Sequence, residues 1–122
     1  METTIGVIGL GGMGGGIASR LLDQGFTITV YNRTQSAADA LVARGARRAA
    51  TPAEAVAPGG IVITMVANDA ALESVAAGAG GFLDRLGADG VHISMSTVSV
   101  GLVKGLAERH AQRGGALVAA PV

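Results

Sequence analysis

The run VIGLGGMGGGIASRLL, from Val7 to Leu22, has six glycines in its first ten residues and then apolar residues at helical spacing. Before it, TTIGVIG over Thr3 to Gly9 reads as a strand. After it, Met13, Ile17 and Leu21, with Ala18 and Leu22, line one side of a helix that Gly25 stops. A strand that turns into a helix across a backbone stripped of side chains leaves few folds open. Gly9, Gly11 and Gly14 stand in that turn as G-x-G-x-x-G. In that spacing the first glycine permits the tight turn, the second lets a ligand reach the backbone, and the third lets helix and strand pack closely.

The rest of the chain repeats the same unit. TITVY reads as a strand, Ser36 to Arg44 as a helix closed by Gly45, and Ala46 to Ala49 as a brief strand. Thr51, Pro52 and Glu54 form a capping box with proline at the first helical position, so TPAEAV opens a short helix. IVITMV is a continuous apolar run, the pattern of a strand covered on both faces. Helices are expected over Asp69 to Ala77 and Gly81 to Leu86. VHISM and ALVAA are the last strands, separated by a helix from about Val100 to Arg113 whose apolar face includes Val103, Leu106 and Ala107. Strand and helix alternating through short links imply parallel strands joined by right-handed crossovers. The expected fold is α/β: one doubly wound Rossmann domain over residues 1–122, with a mainly parallel six-stranded sheet in the order 3-2-1-4-5-6.

Composition removes several classes of partner. Nine basic and nine acidic residues balance, which leaves no electrostatic footprint for nucleic acid or an anionic membrane. No apolar run approaches the roughly 18 residues of a membrane span. The chain has no cysteine, and its N-terminus lacks the basic and apolar regions of a secretory signal. A cytoplasmic location is therefore expected. No spacing of His, Asp and Glu suggests a metal site. His92 falls inside an expected strand, His110 near a helix C-terminus where the dipole favours a cation, and Lys104 on a solvated helix face.

What approaches the glycine turn is most simply a phosphate, because helix N-terminal amides and the helix dipole favour an anion there. A glycine-rich turn in a glycine-rich chain is the plainer alternative, but strand, turn, helix and second strand all fall where a dinucleotide site needs them. Gly9, Leu10, Gly11, Gly12, Met13 and Gly14 are the candidate pyrophosphate-binding set. At the end of the second strand, where NAD-binding domains place an acid for the ribose 2′-hydroxyl, the chain reads Asn32, Arg33, Thr34. Arg33 can pair with a 2′-phosphate and stack on adenine, and Asn32 and Thr34 can donate to its oxygens. NADP(H) is therefore favoured over NAD(H). A solvated Arg33 and a Thr34 that only caps a helix would explain the same residues.

GVIGLGGMGGGIASRLLDQG, VYNRT, VITMVAND, HISMSTVSV and the terminal AAPV together resemble the N-terminal domain of the β-hydroxyacid dehydrogenases. That family includes relatives of 3-hydroxyisobutyrate dehydrogenase, 6-phosphogluconate dehydrogenase and the imine reductases. The resemblance implies that the loop after the fourth strand, Met65, Val66, Ala67 and Asn68, touches the adenosine side and pyrophosphate. Val66 and Ala67 stand where the family often has Leu-Pro. It implies that Ser96 and Thr97, after the fifth strand, lie near the nicotinamide and the substrate carboxylate, Thr97 serving both. Val100 stands where a proline often follows that pair.

The resemblance further implies an oxidoreductase moving hydride between the nicotinamide and a small hydroxyacid or semialdehyde. An imine or other carbonyl reductase half is the nearest alternative, and a dinucleotide-binding module without redox chemistry is a third. The family's glycine-rich substrate segment, catalytic lysine and C-terminal helical substrate domain have no counterpart in residues 1–122. The chain is thus expected to be a cofactor-binding half with no catalytic residue of its own, a truncated gene product or an expressed fragment. Without a helical domain an apolar face would be uncovered, which leaves room for a homo-oligomer.

Overall fold

A computed structural model describes residues 4–11 and 13–121. Gly12, Val122 and the first residue of the expected opening strand lie outside the described residues. Six strands form one sheet: β1 Thr4–Ile8, β2 Thr27–Tyr31, β3 Arg47–Arg48, β4 Ile61–Thr64, β5 Val91–Ser94 and β6 Ala116–Ala119. Their order is β3-β2-β1-β4-β5-β6, and every pairing is parallel, so the sheet is wholly rather than mainly parallel. Between them run α1 Met13–Asp23, α2 Asp39–Ala43, α3 Asp69–Ala77, α4 Leu83–Leu86 and α5 Val100–Gln112.

Side chains alternate across the sheet, so each strand feeds two cores. Ile5 and Val7 of β1, Ile28 and Val30 of β2 and Ile63 of β4 pack with Ala18 of α1 and Leu41 of α2. Ile8 of β1 and Val62 of β4 turn to the opposite face, against Leu72 and Ala76 of α3, Phe82, Leu86 of α4 and Leu106 of α5. Fully burying a side chain such as Leu72 or Leu106 is worth about 1.5–3 kcal/mol.

The expected strands at β3, β4, β5 and β6 come out one or two residues shorter, and three expected helices are also cut short. The helix over Ser36 to Arg44 is a 3-10 turn, Gln35–Ala38, followed by the five residues of α2. No side chain caps either piece, so nothing favours a longer α-helical start over the tighter i→i+3 turn. The TPAEAV helix is a single 3-10 turn, Ala53–Ala55. The expected capping box forms in part: Thr51 Oγ1 accepts from the Glu54 amide at 3.3 Å, but the Glu54 carboxylate accepts from the Ala50 amide, at 3.0 Å, rather than from that of Thr51, and Pro52 stands at the N-cap instead of the first helical position. The helix over Gly81 to Leu86 is confined to Leu83–Leu86.

Candidate functional site

The carboxyl ends of β1, β2 and β4 open into one cavity of about 1150 Å³. The sheet order reverses between β1 and β4, and a doubly wound sheet leaves a crevice at such a point. Ile8, Gly9, Gly11 and Met13 form one wall, Tyr31, Asn32 and Arg33 a second, and Met65 to Asn68 a third. Ala70, Ala71, Ser74 and Val75 of α3 close it.

The three motif glycines answer to different constraints. Gly9 has φ +93°, and a Cβ on it would collide with the Met65 carbonyl oxygen. A Cβ on Gly14 would collide with the carbonyl oxygen of Gly9, which brings α1 hard against the end of β1. Gly11 is different: a Cβ there would meet no heavy atom within 4 Å, and it lines the cavity. Protein packing has no need of a glycine at 11, whereas a phosphate lying on the backbone does. The residues present therefore fit a dinucleotide pyrophosphate.

The turn is folded by its own bonds. The Gly14 amide donates to the Gly11 carbonyl at 3.2 Å and the Gly15 amide to the Leu10 carbonyl at 3.1 Å. The Leu10 amide donates to Asn32 Oδ1 at 2.8 Å, and Asn32 Nδ2 donates to the Thr34 carbonyl at 3.0 Å. Asn32 is thus a buttress between the glycine turn and the end of β2, with one N–H left for a ligand. The Leu10 side chain is buried in the core, so only its backbone belongs to the turn. Arg33 is exposed at the cavity wall and is the only charged side chain lining it among the described residues. Thr34 is exposed but outside the lining set, and its side chain makes no cap bond.

Met65, Val66, Ala67 and Asn68 all line the cavity, whereas Ser96 and Thr97 do not. Ser96 is buried and its Oγ accepts from the Val66 amide at 2.7 Å. Thr97 beside it is exposed. Asn68 also caps α3, its Oδ1 accepting from the Ala71 amide at 2.9 Å. Tyr31 and the α3 residues Ala70, Ala71, Ser74 and Val75 were absent from the sequence-derived set. The signal for the α3 residues was the helix expected directly after the β4 loop, whose first turns must face whatever that loop faces, and the signal for Tyr31 was its place in VYNRT, directly before Asn32.

His92 and His110 lie away from the cavity. His92 Nε2 is 2.8 Å from Thr64 Oγ1, and His92 Nδ1 is 3.0 Å from His110 Nε2. Both rings are buried against Phe82. Burial, and then the neighbouring histidine, lowers the His92 pKa to about 3. Burial, and then Arg113 and Arg109, lowers that of His110 to about 4. A neutral His110 gains little from the helix dipole, so the dipole account of it is replaced by burial in a hydrogen-bonded pair. Among the described residues no group of three or more His, Cys, Asp or Glu could hold a metal ion, and no helix is long and apolar enough to cross a membrane.

Comparison with known proteins agrees with this geometry. The family model of the NAD binding domain of 6-phosphogluconate dehydrogenase matches residues 4–122. YfjR, an uncharacterized oxidoreductase of Bacillus subtilis, is 48% identical over 118 residues, 97% of this chain and 41% of that protein. The 3-hydroxyisobutyrate dehydrogenase of Mycobacterium tuberculosis, solved with L-serine, superposes with a TM-score of 0.87 at 27% identity, over 100% of this chain and 41% of that one. A reductive aminase from Aspergillus terreus, in complex with NADPH and ethyl levulinate, gives 0.76 at 32% identity, over 97% and 39%. The chain thus spans about two fifths of the length of each of these proteins.

Proposed function

Because the chain belongs to the family of the NAD-binding domain of 6-phosphogluconate dehydrogenase, we propose that its cavity binds NADP(H) in preference to NAD(H). The observation that carries this is the charge of the cavity wall. Arg33 stands at the end of β2, and no carboxylate lines the cavity among the described residues. A ribose 2′-phosphate would meet a guanidinium and the remaining N–H of Asn32, with no acid to repel it. Gly11 would let the pyrophosphate lie on the backbone at the start of α1, Met65 to Asn68 would hold the adenosine side, and Thr97 would face the nicotinamide end. The NADPH-bound reductive aminase supports the same reading.

The bound nicotinamide would supply a hydride, and we propose that the domain serves an oxidoreductase acting on a small hydroxyacid or its semialdehyde. The likeness to 3-hydroxyisobutyrate dehydrogenase favours that class, and the likeness to the reductive aminase favours an imine as the second. Among the described residues no lysine, histidine or carboxylate lines the cavity, and its one phenol, Tyr31, stands at the end of β2 beside the proposed 2′-phosphate contacts rather than at the nicotinamide end. The 122 residues alone are therefore expected to bind cofactor and turn over nothing. A paired titration of NADPH and NADH, followed by nicotinamide fluorescence, tests the preference. NADPH should bind at least tenfold tighter, about 1.4 kcal/mol, and Arg33→Ala should erase the difference. Equal or tighter binding of NADH would overturn the assignment of Arg33.

A further inference from the structure

We propose that Ser96 is a positioning residue for the cofactor loop, acting through the Val66 amide and not by contact with the ligand. The geometry is a clasp with two grips. At the first, the Ser96 hydroxyl accepts from the Val66 amide at 2.7 Å, and Ser96 is only 3% exposed. At the second, the Asp69 carboxylate accepts from the Ser99 amide at 2.9 Å. The Ser99 hydroxyl in turn accepts from the Leu102 amide at 3.2 Å and caps α5. Residue 66 of the loop after β4 and residue 69 at the start of α3 are therefore tied to residues 96 and 99 of the loop after β5.

Between the grips on one side stand Ala67 and Asn68, exposed and lining the cavity. Between them on the other side stands Thr97, also exposed. The clasp fixes the backbone on either side of Ala67 and Asn68, two residues of the cavity lining. The part-buried Val66 amide finds its acceptor in Ser96 at the neighbouring strand end, so Ser96 acts through Val66 rather than by touch. Asp69, the last residue of the VITMVAND stretch, closes the second grip from the first residue of α3.

This inference rests on the dinucleotide reading, and its test keeps the two apart. NADPH and 2′-phospho-ADP-ribose, which lacks the nicotinamide, are titrated by calorimetry into the wild type, Ser96→Ala, Thr97→Ala and Asp69→Ala. Ser96→Ala should weaken both ligands by the same factor, about tenfold, and Asp69→Ala should weaken both to a smaller extent. Thr97→Ala should weaken NADPH only. Unchanged binding to Ser96→Ala, or loss confined to NADPH, would overturn the proposal. Hydrogen exchange at the Val66 amide of the unliganded wild type gives a second reading that needs no variant. Slow exchange supports the clasp, and exchange at the rate of an open loop overturns it. If neither ligand binds the wild type, the dinucleotide reading fails, and the Val66 exchange still decides the clasp.

Discussion

At the end of β1 the presence or absence of one methyl group is felt differently at residues 9 and 14. Alanine at 9 would force a side chain into a left-handed conformation and into the Met65 carbonyl, and alanine at 14 would push α1 off the end of β1. Each substitution should cost more than about 2 kcal/mol, read as a lower urea midpoint without ligand. Asn32 sits at the other side of the same turn. Asn32→Asp keeps the acceptor for the Leu10 amide, loses the donor to the Thr34 carbonyl, and sets a negative charge where a 2′-phosphate would lie. It should move preference toward NADH by at least tenfold, about 1.4 kcal/mol, measured by the same paired titration; an unchanged ratio would show that the end of β2 does not read the 2′ position. The glycines were legible because their spacing is local. The buttress role of Asn32 was not, because its partner lies 22 residues away and is a backbone amide. Ser96 was legible as a polar strand end, but its bond to Val66 spans 30 residues and appears only once β4 and β5 are side by side.

The elements follow the sequence where apolar pattern and turn residues agree. Asp69–Ala77 begins and ends where expected because Asn68 caps it and Gly78 follows it. The interrupted helix between β2 and β3 was misread because its apolar residues suit a helix while no capping side chain starts one. β3 is only two residues long, both arginines and exposed, which suits a strand at the sheet edge. The histidine pair belongs to this scale, since it joins β4, β5 and α5 through Thr64, His92 and His110. In the unfolded chain these rings take up protons near pH 6.5. In the folded one His110 resists protonation to about 4 and His92 to about 3. The unfolded state thus binds more protons between those limits, and stability must fall as pH drops below 6.5. The slope should reach at most about 1.4 kcal/mol per pH unit for each histidine. Urea midpoints taken from pH 7.5 down to 5 should show the decline, and His110→Leu should reduce its slope. A wild-type profile that is flat over this range would mean that the pair accepts a proton in the folded state.

At the scale of the whole molecule, strand order places the site. Four of the six strands end near the cavity or the loop clasp, and the reversal between β1 and β4 lets the glycine turn, Arg33 and the Met65–Asn68 loop face one space. The alternation of strands and helices made that arrangement legible before any contact was known, because right-handed crossovers leave few orders open. The cover over the sheet is less even: Val118 on the β6 edge strand is 50% exposed. Which residues share the cavity depends on helix orientation, and Tyr31 and Ser74 could be assigned only from the fold. The account turns on a ligand lying where Gly11 has no side chain and the protein has no use for the space. The most direct measurement is a calorimetric titration of NADPH into the wild type and Gly11→Ala, with the thermal midpoint of each protein recorded without ligand. The account predicts one site per chain in the wild type, at least tenfold weaker binding in the variant, and unligated midpoints that agree within about 2 °C. Equal affinity in the two proteins would contradict it, because a dinucleotide that tolerates a methyl group at residue 11 does not lie on this turn.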